Sequence, residues 1–247
     1  MIASLAMLVA VLVPIPTIIK SMKERVTPFR AVINGVLSGT LGALIVMVIG
    51  QLMGVNAFDE LFKAVDSMVK VMSENAEFAA LFGEDVTKDQ LTEMLTVIYE
   101  NSIKLLPGCI VIISLFASYV EYIILSRILK FDGLTPIPMT KMQEFDLPRR
   151  LVTLWCLVYI AMLILSKTDM FADSIILVNI NMLFDMAFCL QGISVIFMLC
   201  HTRRIPRVVP GVLMVLILVF GLCRNIVMLL GFVDLLFGLK YRMKQRI

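Results

Sequence analysis

A single histidine, His201, and a single tryptophan occur among 247 residues, and charged side chains make up only 17% of the chain. One imidazole excludes a histidine-based metal site. It also leaves a Ser–His catalytic pair only His201 to draw on, at the foot of an apolar segment beside Arg203 and Arg204. No P-loop, His-Glu-x-x-His zinc helix or Gly-x-Ser-x-Gly elbow is present. The five cysteines (Cys109, Cys156, Cys189, Cys200, Cys223) lie inside or at the edge of apolar blocks, without the loop spacing of a disulfide framework or zinc site. They read as small apolar packing residues. No enzyme activity, cofactor, metal or nucleic-acid partner is expected.

What the chain has instead is apolar length. It is 60% hydrophobic with a mean hydropathy of +0.96, well beyond a soluble domain. Crossing a bilayer core of about 30 Å takes roughly 20 apolar residues of helix, and the apolar blocks approach or reach that length. Spans are expected near Met1–Ile19, Phe29–Gly54, Leu105–Leu125, Leu151–Ser166, Ser174–Cys200, Val209–Cys223 and Ile226–Leu239. The last two are short enough to tilt, to thin the bilayer locally or to form an incomplete hairpin. The first lacks a basic n-region and an Ala-x-Ala cleavage site, so it reads as a span and not as a signal peptide. The expected fold is all-α: a polytopic transmembrane helix bundle of seven spans, forming one membrane domain over residues 1–247, with the lipid bilayer as its first partner.

Lysines and arginines orient these spans. Alternate connections hold Lys20, Lys23, Arg25 and Arg30; Arg127, Lys130, Lys141, Arg149 and Arg150; Arg203, Arg204 and Arg207; and Lys240, Arg242, Lys244 and Arg246. These are 16 of the 22 basic residues, and the opposite side keeps Lys63, Lys70, Lys88, Lys104, Lys167 and Arg224. The asymmetry predicts an N-terminus outside and a cytoplasmic C-terminus; residence in a bacterial cell membrane is what the family resemblance given below implies.

Two polar segments interrupt the spans. Residues 55–104 carry ten acidic and four basic residues, fitting an extracytoplasmic insert. Phe58, Leu61, Phe62, Val65, Met68, Val69 and Met72 recur at helical spacing. A second helix is predicted from a Thr87–Gln90 capping pair through Leu91, Met94, Leu95 and Ile98. Such a hairpin fits either a lid that engages a partner or a pair of helices resting on the outer membrane surface. Residues 131–150 carry Pro136, Pro138 and Pro148, which predicts an extended, semi-rigid cytoplasmic connection.

Polar groups at membrane depth are costly and therefore mark candidate sites. The fifth span holds Asn179, Asn181, Asp185 and Gln191, with Ser194 one turn on. Asn181 and Asp185, four apart, stack on one helix face. They serve either a solute or proton site or a helix–helix hydrogen bond. Asp234, in the last span, is ten residues from Arg224; Lys240 or Arg207 is the alternative counter-ion. Glu121, near the inner end of its span, has Arg127 within interfacial reach. Gly35, Gly39, Gly42, Gly50 and Gly54 form a small-residue stripe suited to close helix packing, within the chain or between two copies.

Over the last 120 residues, a proline-containing loop runs into "FDLPRRLVTLW", followed in order by "LQGISVIFMLCH", "RRIPRVVPGVLMVLILVF" and "MLLGFVDLLFGLKYRMKQR". With the preceding amphipathic insert and its "YIILSRILK" ending, this arrangement resembles the YybS-like family of uncharacterised bacterial multi-pass membrane proteins. Gln191, Gly192, Gly231 and Asp234 match recurrent positions of that family. Two features depart from it. Members begin with further hydrophobic segments, so one or two leading spans are expected to be missing here. Gly238-Leu239-Lys240 also stands where an acidic residue followed by Arg is usual. The family is distantly similar to the substrate-binding S components of energy-coupling-factor vitamin transporters. That likeness is an analogy of fold and assigns no role to individual residues. The intramembrane polar groups themselves lead to the expectation of a transporter-like module capturing a small polar solute, with Asn181, Asp185, Gln191 and Asp234 as binding residues and a membrane or cytoplasmic protein as partner. The alternative is a structural or scaffolding protein of the envelope. A water-accessible pocket at Asp185 and Gln191 favours the first; full burial with every hydrogen bond satisfied favours the second.

Overall fold

The computed structural model describes residues 2–55, 57–74, 88–131, 133–147, 149–165, 175–206 and 208–244. Among these every regular element is helical, and no strand occurs. Contacts divide the chain into two compact units, Met1–Met139 and Thr140–Ile247. The boundary falls inside the proline-containing connection.

The first unit contains α1 (Ile2–Leu12), α2 (Pro14–Lys23), α3 (Pro28–Leu52), α4 (Ala57–Glu74), α5 (Lys88–Lys104) and α6 (Leu106–Phe131). The expected first span thus carries an irregularity at Val13, which keeps right-handed helical angles and bonds the Val9 carbonyl at 3.0 Å, so Ile2–Lys23 remains one apolar run. Pro14 opens α2, because a residue without an N–H is tolerated at a helix start and not inside one. Residues Ile2–Lys23, Pro28–Leu52 and Leu106–Phe131 are each long and apolar enough to cross a membrane.

The distribution of side-chain size explains how they pack. On α3 the buried residues include Ala31, Gly35, Gly39, Ala43 and Gly50, while Leu37, Leu41, Ile45 and Val48 are exposed. Small residues inside and large aliphatic residues outside is the pattern of a helix whose solvent is lipid. The glycine stripe is filled from within the chain. A Cβ at Gly35 would sit 2.6 Å from Ser118 Oγ, one at Gly39 would sit 2.6 Å from the Ala10 carbonyl, and one at Gly50 would meet Ile2. Gly35, Gly39, Gly42 and Gly50 therefore serve intramolecular packing of α3 against its neighbours, whereas Gly54 lies beyond the helix in a left-handed turn with nothing within 4 Å.

The insert forms a hairpin. Val69, Leu91 and Leu95 are buried together, with Val65, Met72 and Tyr99 around them. Leu61 packs onto the core made by Ala6, Ala10, Ala43, Leu106 and Ile110, so the hairpin rests on the helices of its own unit. The expected Thr87 cap lies outside the described residues. Tyr122, fully buried, donates its hydroxyl to the Ile137 carbonyl at 2.7 Å. With Met139 on the same core, this ties the first part of the connection to the first unit. Glu121 Oε2 is buried with no hydrogen-bond partner, and no ion pair joins Glu121 to Arg127 among the described residues.

The second unit begins with a 3-10 turn (Met142–Glu144), followed by α7 (Arg149–Leu165), α8 (Ile175–Thr202), α9 (Val208–Val219), α10 (Gly221–Phe237) and α11 (Leu239–Lys244). Helix α8 is a fourth element of spanning length; α7 and α9 contain shorter apolar segments. The break between the last two apolar helices falls at Phe220, which is extended, and not at the polar pair Arg224–Asn225. Those two residues are the fourth and fifth of α10, both exposed. Phe184 stands at the centre of an aromatic set, edge-on to Trp155 at 4.6 Å and stacked with Phe188 at 5.9 Å. Phe188 in turn meets Phe232 edge-on at 5.5 Å, so the set links α7, α8 and α10.

Candidate functional site

The contact between α8 and α10 is as close as two helices permit. A Cβ at Gly192 would strike the Val227 carbonyl, and one at Gly231 would strike the Phe188 carbonyl. Only glycine at both places lets the backbones touch. That approach brings the side chains one residue before Gly192 and three after Gly231 into direct contact.

They are Gln191 and Asp234. Gln191 is fully buried and Asp234 is 3% exposed. Gln191 Nε2 donates to Asp234 Oδ2 at 2.7 Å and to Asp146 Oδ1 at 2.8 Å. Its Oε1 accepts the Leu147 backbone N–H at 3.2 Å. Both amide protons and the amide oxygen are thus engaged, so its burial leaves no orphaned group.

Lys240 supplies the cation. Gly238 adopts the left-handed conformation (φ 63°) and its N–H bonds the Asp234 carbonyl at 2.7 Å, ending α10. The reversed chain places the Lys240 N–H 2.7 Å from Asp234 Oδ1. The Lys240 ammonium then lies 3.3 Å from Asp146 Oδ1 and 3.8 Å from Asp234 Oδ2. It donates to the Phe145 carbonyl and, at 3.1 Å, to Ser194 Oγ. The Ser194 hydroxyl in turn donates a hydrogen bond to the Phe145 carbonyl at 2.7 Å. A buried carboxylate needs such an ion partner together with hydrogen bonds, because a lone charge would be prohibitively costly. Lys240 is therefore the counter-ion of Asp234. Arg224 instead lies within electrostatic reach of Asp185, and Arg207 lies outside the described residues.

The cluster fastens residues 145–147 onto α8 and α10. The cavity beside it, lined by Asp146, Asp234, Leu235, Gly238, Lys240 and Tyr241, holds about 30 Å³. That volume is about one water's share of liquid, against roughly 300 Å³ or more for a small-molecule site. Chemically the cluster can clasp the connection and hold charges at fixed separations. It has no room for a solute.

Two of the four predicted residues, Gln191 and Asp234, are brought together; Asn181 and Asp185 are not part of the cluster. Asp185 is exposed on α8, and Asn181 is half-buried with its Oδ1 shielded and unbonded. Neither lines the apolar cleft of about 230 Å³ formed by Leu154, Trp155, Val158, Ile180, Leu183 and Phe184. Sequence reasoning did not assign Asp146 to the site. Its position in the "FDLP" motif was the available signal.

Long apolar helices, lipid-facing aliphatic stripes and a buried charge cluster define a polytopic all-α membrane protein. The chain belongs to the family described as "Predicted membrane protein (DUF2232)", whose pattern matches residues 1–235. It is similar to "Uncharacterized protein YybS" of Bacillus subtilis (strain 168), 25% identical over 224 residues that cover 90% of this chain and 71% of the relative. No solved structure matches.

Proposed function

We propose that this protein is a non-catalytic, transporter-like membrane module that binds a small polar solute through Asn181 and Asp185, while the Gln191–Asp234–Lys240–Asp146 cluster acts as a rigid latch. One observation carries the reading. On a helix of spanning length, Asn181 Oδ1 is buried without a hydrogen-bond partner one turn from Asp185, and unsatisfied polar groups in such a medium cost several kcal/mol. Asn181 Oδ1 and the Asp185 carboxylate are acceptors. A solute that presents N–H or O–H donors, such as an amine or a polyol, matches them. The distant resemblance to energy-coupling-factor S components expected from the sequence is an analogy in keeping with this reading.

In this reading the C-terminus lies in the cytoplasm and the α4–α5 hairpin outside the cell, an orientation that the asymmetry of basic residues supports. Four helices of spanning length, the two shorter apolar segments in α7 and α9, and α10 would together make the seven expected spans.

A second reading, an envelope scaffold that docks protein partners, draws on the complete hydrogen bonding of Gln191. Native mass spectrometry of the full chain extracted from bacterial membranes separates the two. The first predicts a co-purified small polar solute that Asn181→Ala and Asp185→Ala both lose. Recovery of a protein partner with no solute replaces it by the second.

A further inference from the structure

We propose that the groove between the 3-10 turn, the last turn of α8 and the start of α9 is a binding site for one anionic phospholipid. The groove holds about 310 Å³, and its walls include Met142, Phe197, Ile205 and Pro210, with Lys141 and His201 also lining it. Both Lys141 and His201 are exposed, whereas Pro210 is buried. The site thus has apolar walls with cationic and N–H donor groups at its rim, the complement of an acyl chain beneath a phosphate.

Its depth fits that occupant. The groove lies along the final turn of α8, an apolar helix of spanning length, and Arg203 and Arg204 follow at once. A cluster of basic residues at the end of such a helix marks the headgroup region, and basic pockets between helices there hold anionic lipid headgroups. The backbone is committed to this arrangement. Ile205 N–H bonds the Cys200 carbonyl at 2.9 Å, closing the helix with Arg204 in the left-handed conformation (φ 56°). Glycine usually occupies that position because a side chain is strained there. At this helix end the chain carries an arginine instead, which adds a positive charge beside the groove. Of the neighbouring acids, Asp146 is paired with Lys240, and the single exposed carboxylate of Glu144 stands against the three cations Lys141, Arg203 and Arg204.

The site is separate from Asn181 and Asp185, so its test is independent of the solute reading. A Phe197→Trp variant of the full chain is reconstituted in vesicles of phosphatidylcholine containing brominated phosphatidylglycerol or brominated phosphatidylcholine. The signal of Trp155 is subtracted using the parent protein. Quenching by the brominated anionic lipid should exceed quenching by the zwitterionic one by roughly fivefold in apparent affinity, and Lys141→Glu should remove that preference. Circular dichroism shows that the variants remain helical. Equal quenching by both lipids means ordinary bilayer contact and overturns the proposal. Absence of quenching by either means a groove closed to lipid, and overturns it equally. A preference that survives Lys141→Glu, and also a His201→Glu change, places the selectivity elsewhere and sinks it too.

Discussion

Gln191 Nε2 donates to Asp234 Oδ2 at 2.7 Å across the α8–α10 contact, and the same amide nitrogen reaches Asp146 at 2.8 Å. One uncharged side chain therefore spaces two carboxylates, while Lys240 lies within 4 Å of both. Gln191, Asp234 and Lys240 depend on one another, because removing one leaves the other two with a lost partner in a mostly buried setting, whereas Asp146 closes the set from its exposed side.

Gln191→Leu tests that dependence. Leucine has a similar volume but leaves Asp234 and the Leu147 N–H without their partner, and a loss of about 2–3 kcal/mol is expected. Thermal or denaturant unfolding in detergent measures it. In a double-mutant cycle, Asp234→Asn and Lys240→Met should be coupled by about 1–3 kcal/mol, the double variant losing less than the two single changes added together. Strict additivity would show that the pair does not act as a pair.

The glycine contact makes a prediction with an internal control. Gly192→Ala places a methyl group against the Val227 carbonyl, where backbone cannot yield, and the helices must separate at a cost of about 1–3 kcal/mol. Gly211→Ala meets nothing within 4 Å. It should leave stability unchanged or raise it slightly, since alanine is the better helix former. Similar unfolding midpoints for the two variants would mean that α8 and α10 are not packed as described.

The proposed orientation is open to a fusion experiment. A fluorescent protein attached after Ile247 should fluoresce in the cytoplasm, and alkaline phosphatase fused after Lys104 should be active outside it. The reverse pattern would invert the topology, and with it the side on which Lys141 and Arg204 meet lipid.

Much of this fold was legible one segment at a time. The expected span Phe29–Gly54 corresponds to α3, Pro28–Leu52, and Ser174–Cys200 to α8, Ile175–Thr202. Run length and composition are local properties, and a bilayer converts them directly into helices. The failures were local as well. The polar pair Arg224–Asn225 predicts the break before α10, but a helix turn holds exposed polar residues easily, and the chain bends instead at Phe220 ahead of Gly221.

The candidate site was legible in part. Gln191 and Asp234 could be named because polar side chains inside apolar runs stand out. Asp146 could not, since it lies in a connection where a carboxylate is ordinary. Asn181 and Asp185 share a face with each other yet stay clear of the cluster that Gln191 forms. Spacing along one helix does not say which neighbour that face will meet.

Amino-acid order alone thus determined that most of this chain is built for lipid, which segments coil, and which few polar groups would need an explanation. Tertiary structure decided that Gln191 finds Asp146, 45 residues away, that Gly192 and Gly231 let two backbones touch, and that the left-handed turn at Gly238 folds Lys240 back over Asp234. The reason is geometric. Helix formation depends on neighbours within a turn, whereas partner choice depends on the rotation and crossing of whole helices, which only their mutual packing sets.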